Sequence, residues 1–391
     1  MTTTAPAPTR PLLSRLQSLD ALRGLTIAFM IMVNNNGSDQ AWWFMKHAEW
    51  NGLTPTDLVF PTFLFVAGVS TVFALEARLA KGATRAQLAW QTVRRAAILF
   101  ALGLVVNNLG TVLNNFPHLH LDSWRIYGVL QRIAICYCIV ALFYLWDRKW
   151  QSKVVVLVAA LLGYWILMRW VPVPGAGVPG VDIPFLDKDQ NLVAWLDRQI
   201  FPGKMLYETT RDPEGLLSDL PALGTALMGL LTGIWLRTRY TVPGKAVGLA
   251  AGSAACLALG CLWSIWLPLN KKLWTSSYVL VAAGISLAIF ALFFWAMEVN
   301  NWKGKWTWPW LVLGANSIFA YMVSEILSTL LWIIQVPVNG KPDGLQRWIW
   351  LHGFTWIPNG GLASFAYSFA FMVVCFVPTW LLYKNKVFLK V

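Results

Sequence analysis

The chain has 391 residues, of which 57% are hydrophobic and only 13% charged, with a formal net charge of +13. Charged residues make up roughly 25% of an ordinary soluble domain. The deficit, with a mean hydropathy of +0.55, excludes a soluble multidomain protein and indicates a polytopic membrane protein. Nucleic acid is excluded as a partner too, because the basic residues fall between apolar runs and do not line one face.

In chain order, residues 1–18 open with the Pro/Thr-rich "MTTTAPAPTRPLLSR" and show no apolar core followed by a small-residue cleavage site. They read as a cytoplasmic tail, with the first span serving as the insertion signal. Crossing a bilayer core takes roughly 20 apolar residues. Ten spans meet that measure, near 19–37, 56–76, 94–113, 126–146, 154–171, 217–236, 246–267, 277–297, 309–334 and 362–383. They form one transmembrane domain over 19–383, and 384–391 is a cytoplasmic tail. An eleventh, short re-entrant or interfacial helix is an alternative over 345–357, "LQRWIWLHGFTWI". The fold class is therefore an all-α, polytopic transmembrane helix bundle.

Orientation follows from lysine and arginine in the connections. With the N-terminus inside, inner segments hold 19 of the 31 basic residues and outer segments 11, so both termini are expected in the cytoplasm. The longest outer connection, 172–215, is periplasmic in this scheme. Its Gly175, Gly177 and Gly180 formally match a dinucleotide-binding G-x-G-x-x-G. No soluble strand precedes them and Pro179 interrupts the run, so they read as a turn-rich loop. The 24 tryptophans cluster near span ends, where amphipathic rings favour the interface. All five cysteines lie inside apolar runs and read as small packing residues.

Against this background "FMKHAEWNGLTPTDLVFP", residues 44–61, is dense in polar chemistry. His47 precedes the Asn51-Gly52 turn, which can fold Asp57 back toward it. A carboxylate beside an imidazole fixes its tautomer and stabilises its charged form, as a general base requires. The ordinary alternative makes Asp57 part of a helix cap with Thr54 or Thr56. Before it, "MIMVNNNGSDQ" ends the first span with Asn34, Asn35 and Asn36, amides that could serve an oxyanion or simply end the helix. Trp50 could stack on a sugar ring, although an interfacial belt role explains it as well.

Asp20 and Arg23 are three apart, on one helical face. With Arg85, Arg94 and Arg95 they form either a topology signal or a basic vestibule for an anionic co-substrate. Arg125 and Arg132 lie seven apart, close to one face of the fourth span. In "GANSIFAYMVSEIL" the ninth span carries Asn316, Ser317 and Glu325. An ionisable group at depth needs a partner or a water-filled cavity, so Arg132 and Glu325 either pair with each other or line a pathway. His118, His120 and Asp122 alternate in "PHLHLD", but without further ligands nearby no metal site is expected.

Four stretches, "RLQSLDALRG", "KHAEWNGLTPTDLVFPTFLFVAGVS", "RIYGVLQRIAI" and "GANSIFAYMVSEI", together resemble the catalytic region of the heparan-alpha-glucosaminide N-acetyltransferase family and its bacterial NagX-type relatives. The resemblance implies a multi-helix domain that carries an acetyl group from cytosolic acetyl-CoA to an amino sugar on the far side of the membrane. It places the family's essential histidine on His47, its downstream aspartate on Asp57, and its asparagine on Asn34, with Asn36 as the alternative. No counterpart of the animal enzyme's extra lumenal domain is expected here, which weakens any inference to heparan as the acceptor.

The expected protein is thus an acyltransferase of the inner membrane, with acetyl-CoA as co-substrate, no metal, and an amino-sugar or glycan acceptor. His47, Asp57 and Asn34 are the catalytic candidates, with His47 acting as base or as acyl carrier. Arg23, Arg94, Arg95 and Arg132 are candidates for the donor, and Trp50, Asn51, Asn316 and Glu325 for the acceptor. The rival reading is an amino-sugar transporter without covalent chemistry, which would neither bind CoA nor yield acetylated product. A third, an envelope scaffold, leaves His47 and Asp57 idle. Besides the lipid bilayer, a homodimer is left open as an assembly.

Overall fold

The computed structural model describes residues 16–118, 120–338 and 340–389. Most of the expected N-terminal tail (1–15) and the end of the C-terminal tail (390–391) lie outside the described residues. The chain first runs through α1 (Gln17–Asn34), α2 (Val59–Leu79), α3 (Arg85–Asn115), α4 (Val129–Trp146) and α5 (Trp150–Trp170). A long connection carrying the short α6 (Leu192–Ile200) follows. Then come α7 (Asp219–Leu236), α8 (Val242–Trp263), α9 (Ser276–Phe294), α10 (Trp308–Ala315) and α11 (Ser317–Ile333). An antiparallel hairpin of β1 (Gln335–Val338) and β2 (Lys341–Gly344), the nine-residue α12 (Leu345–Gly353) and α13 (Gly360–Lys384) complete the order.

Among the described residues eight helices are long and apolar enough to cross a membrane. A ninth span arises if α10 and α11, bent by 81° at a break, are taken together. Each of the ten expected ranges has a helical counterpart, but α1 does not meet the same measure of length and apolarity. Its eighteen residues include Asp20 and Arg23, and burial in the bundle, with Leu22 and Ile31 fully covered, stabilises it. The segment 345–357 contains α12, and the hairpin before it was not expected from the sequence.

The main core is shared by α2, α4, α7 and α9, with Phe65, Val69, Val140, Leu227, Leu230, Tyr278 and Phe290 at its centre. The crossing of α2 and α7 brings backbones into direct contact at two points. A Cβ on Gly68 of α2 would sit 2.2 Å from the Ala226 carbonyl oxygen, and one on Gly229 of α7 would sit 2.0 Å from that of Phe65. Such close approach is the usual role of small residues between membrane helices. A second cluster packs α1 against α11, α13 and the loop after α1, through Ile27, Ile31, Met45, Ala320 and Phe371.

The bundle has two polar ends. At one, Glu76 of α2 accepts from Tyr144 of α4 at 2.9 Å and pairs with Arg148 and Arg237, gathering three helix ends. At the other, the α1–α2 loop meets the α8–α9 connection, where the Gly52 amide donates to the Leu269 carbonyl at 2.8 Å. In the long connection Gly175, Gly177 and Gly180 have φ of 80°, 107° and 78°, left-handed turn positions in keeping with a loop.

Candidate active site

The loop from Asn35 to Leu58 stays close to the bundle because its polar groups are tied down locally. Asn36 donates its amide to the carbonyls of Val33 (3.2 Å) and Met45 (2.9 Å), folding the chain back beneath α1. The Thr54 hydroxyl donates to the Lys46 carbonyl at 2.6 Å, and the Thr56 hydroxyl to that of Phe44 at 2.8 Å. These bonds bring His47 onto Asp57, with Nδ1 to Oδ1 at 2.7 Å.

Asp57 is also the third residue of a capping box opened by Thr54. Its Oδ2 accepts from the amides of Ala48 (3.1 Å) and Thr54 (3.0 Å) and lies 3.0 Å from the Thr54 hydroxyl oxygen, whose hydrogen goes to Lys46. The cap and the imidazole partner, alternatives in the sequence, are therefore one carboxylate using both oxygens. From below, Tyr278 of α9 donates to the Asp57 carbonyl at 2.6 Å. Asp57 is 1% exposed and the His47 side chain 44%, so the acid is sealed while the imidazole edge stays open.

An ionised carboxylate only accepts, so His47 Nδ1 carries the hydrogen and Nε2 holds a free lone pair. Desolvation has the largest influence on His47 and lowers its pKa below the usual 6.5. The hydrogen bond to Asp57 opposes that fall, and the positive charge of Lys271 adds to it. A neutral imidazole with a free Nε2 can accept a proton near neutral pH.

Around this pair lies a shell of charge that spacing in the sequence did not reveal. Arg125 bonds both oxygens of Asp212 at 2.8 Å and reaches Glu214 at 2.6 Å. Burial without full charge compensation pushes Asp197 on α6 up to about 7. Glu214 lies within electrostatic reach of His47, Lys271 and Tyr321. His47, Lys271 and Glu214 come from three connections more than 50 residues apart, and no local motif announces that they meet.

The other sequence candidates divide. Asn34 lies close enough to the side chain of Glu325 on α11 to act on it electrostatically. Asn36, not Asn34, touches the His47 loop. Arg132 does not pair with Glu325. Its Nε bonds Asp219 at 2.7 Å, its terminal nitrogens bond the carbonyls of Pro213 and Gly215 and the Ser218 hydroxyl, and its face covers Trp274. A guanidinium so engaged has little left for a phosphate. Asn316 lies at the opposite end from His47, at the α10–α11 break, exchanging hydrogen bonds with the backbone of Val387 and Leu389.

Trp50 donates its indole N–H to Leu186 at 2.8 Å and carries the Arg211 guanidinium 4.8 Å from its ring centre. Asn51 accepts from Asn270 at 3.1 Å. Arg23 is held by Asp20 (3.1 Å), Ser70 (2.7 Å) and the Gly314 carbonyl (3.3 Å), matching the expected i,i+3 pair. Arg94 is exposed, and Arg95, over the ring of Tyr137 at 5.3 Å, has an Nε without a partner. Asp122 pairs with Lys204 and not with the neighbouring histidines. The cysteines are all free; Cys136 and Cys375 are buried, whereas Cys261 is exposed on α8.

Residues 15–243 match the family model described as heparan-alpha-glucosaminide N-acetyltransferase, catalytic. Heparan-alpha-glucosaminide N-acetyltransferase of Mus musculus is 29% identical over 364 residues, covering 80% of this chain and 54% of the relative. The Homo sapiens protein of the same name is 30% identical over 362 residues, covering 80% and 53%. The chain spans about half the length of the curated relatives it matches. The matched region contains both His47 and Asp57, and the chain belongs to the heparan-alpha-glucosaminide N-acetyltransferase catalytic family.

Proposed function

We propose that this chain is an integral-membrane N-acetyltransferase that moves an acetyl group from acetyl-CoA to the amine of a glucosamine-like sugar. The observation that carries the reading is the His47–Asp57 pair: a sealed carboxylate holding Nδ1 while Nε2 stays open. In this scheme Nε2 takes the proton of the attacking amine as its nitrogen bonds to the acetyl carbon. The carbon–sulfur bond breaks and CoA leaves as thiolate. Asp57 orients the ring and stabilises the imidazolium, a contribution of about 10²–10⁴-fold for general-base catalysis. Acylation of His47 itself is the variant of this scheme that burst kinetics separates.

The donor's nucleotide carries phosphates, for which Arg94 and Arg95 are the better-suited cations, since Arg23 and Arg132 have their donors engaged. The charge distribution of the connections supports both termini, and therefore these arginines, facing the cytoplasm of an inner-membrane protein. The acceptor then arrives from the outer side, beside His47. Purified protein with isotope-labelled acetyl-CoA and a panel of amino sugars tests the activity directly. Label appearing in an N-acetyl sugar is expected; intact acetyl-CoA and unmodified sugars throughout the panel refute it.

A further inference from the structure

Lys271 lies in the α8–α9 connection, partly buried; its carbonyl accepts from the Trp274 amide at 3.1 Å, while its ammonium makes no hydrogen bond or ion pair among the described residues. The residues around it are fastened. Leu269 accepts from Gly52 at 2.8 Å, Asn270 donates to Asn51 at 3.1 Å, and Lys272 pairs with Glu208 at 2.8 Å. The segment is thus stitched to the loop that carries His47, with Lys271 held between fixed neighbours.

Two carboxylates lie within electrostatic reach of Lys271, and both have closer partners. Asp57 is taken by His47, Ala48 and Thr54, and Glu214 by Arg125. Withdrawing an ammonium from water without pairing it is unfavourable. A cation kept this way at the edge of a catalytic pair is suited to a negative charge that exists only during reaction. Asn34, expected to serve the acyl oxygen, lies near Glu325. Lys271 lies outside the family match over 15–243, so its assignment rests on the segment's bonds to the His47 loop and on its electrostatic reach to that centre.

We propose that Lys271 is the cation of the His47 centre, donating a hydrogen bond to the acyl oxygen as negative charge gathers there. The inference rests on the acetyltransferase reading and adds a catalytic residue to it. When the amine lone pair forms the nitrogen–carbon bond, the carbonyl π pair moves onto oxygen, where the ammonium meets it. The pair returns as the carbon–sulfur bond breaks, CoA departs as thiolate, and the amine proton resides on His47. The ammonium keeps its protons throughout.

The test compares the full-length wild type with Lys271→Met, Lys271→Gln and Lys271→Arg by two independent readouts. Steady-state kinetics should show kcat reduced about 10²-fold in both neutral variants, as for loss of one oxyanion donor. KM for acetyl-CoA should change less than about threefold, and Lys271→Arg should recover part of kcat. Histidine-labelled NMR, with His47 assigned by its loss in His47→Gln, reports the imidazole titration without need of substrate. The charged groups on or against the His47 loop are Asp39, Lys46, Glu49, Asp57, Lys188, Arg211, Glu214 and Lys271. Removing the Lys271 charge should therefore move the His47 titration to higher pH, because a nearby cation disfavours the imidazolium.

An active wild type with undiminished kcat in the neutral variants overturns this inference alone. An unmoved His47 titration in Lys271→Met also overturns it, by removing Lys271 from the centre. A wild type that transfers no acetyl group to any amino sugar overturns the underlying reading, and this inference with it.

Discussion

Asp57 divides its work between two oxygens, Oδ1 for the imidazole and Oδ2 for the helix cap. Asparagine has one acceptor and one donor end, so it cannot serve both. In Asp57→Asn the cap donors can keep the amide oxygen, leaving the amide nitrogen facing His47 Nδ1. Nδ1 must then accept, which moves the ring hydrogen to Nε2 and removes the base. Transfer should fall about 10²–10⁴-fold in Asp57→Asn while the protein stays folded, and His47→Ala should fall as far with acetyl-CoA binding intact. The pH profile gives a sign to check. His47 must be neutral to act and its pKa lies below 6.5, so kcat/KM should decline only as pH falls through that lower value. A wild-type acid limb centred above 6.5, or near-normal turnover in His47→Ala, refutes the assignment. The sequence made the His47–Asp57 encounter legible because the Asn51-Gly52 turn lies between them. Lys271 was not legible, being more than 200 residues from His47 along the chain.

At the scale of elements, one ion pair ties the beginnings of two central helices. Arg132 on α4 is 0% exposed at its side chain and bonds Asp219 at the first residue of α7, so the pair pins the long connection down as well. Removing one member of a buried pair leaves the other charge uncompensated, at a cost of about 3–5 kcal/mol, whereas replacing both is far better tolerated. Arg132→Met should therefore lower the thermal midpoint in detergent sharply, and Arg132→Met with Asp219→Leu should recover much of the loss. Equal destabilisation in the single and double variants would show that the pair is not what holds these helices. Periodicity and apolar length made the helices legible, since a buried apolar helix is long and uninterrupted in sequence. The bend between α10 and α11 and the β1–β2 hairpin were missed. The first is a break inside an apolar run, where Asn316 binds the C-terminal backbone, and the second is four-residue strands between helices.

For the whole molecule, the division of charge between the two ends predicts sidedness. With the native cysteines replaced, single cysteines at Ser38 and Lys384 should label from opposite faces of intact cells, Ser38 from outside. Labelling of both from one face excludes an arrangement with His47 and the C-terminus on opposite sides. Sealed inside-out vesicles extend the test: acetyl-CoA added outside should acetylate amino sugar trapped in the lumen. Charge reversal at Arg94 or Arg95 should raise the apparent KM for acetyl-CoA, because phosphate binding needs positive charge. Product forming only when donor and acceptor share one side would refute transfer across the membrane and leave the acetyltransferase chemistry standing. A span of roughly 30 Å of hydrocarbon separates the two faces. The polar interior, with Asn34 exposed and Glu325 partly exposed, is where water shortens that path in this scheme.

The sequence by itself determined the class of protein, its helices and the His47–Asp57 pair, because each depends on residues near one another along the chain. Twenty-residue apolar runs specify spans, and a turn between a histidine and an aspartate specifies their encounter. Tertiary structure decided which charges satisfy one another. Arg132 chose Asp219 over Glu325, and Asn316 went to the C-terminal backbone at the far end of the bundle. Helical periodicity tells which residues share a face but not which helix packs against that face. Pairing between distant segments is fixed only when the apolar core, through contacts such as Gly68 and Gly229, settles the order of the bundle.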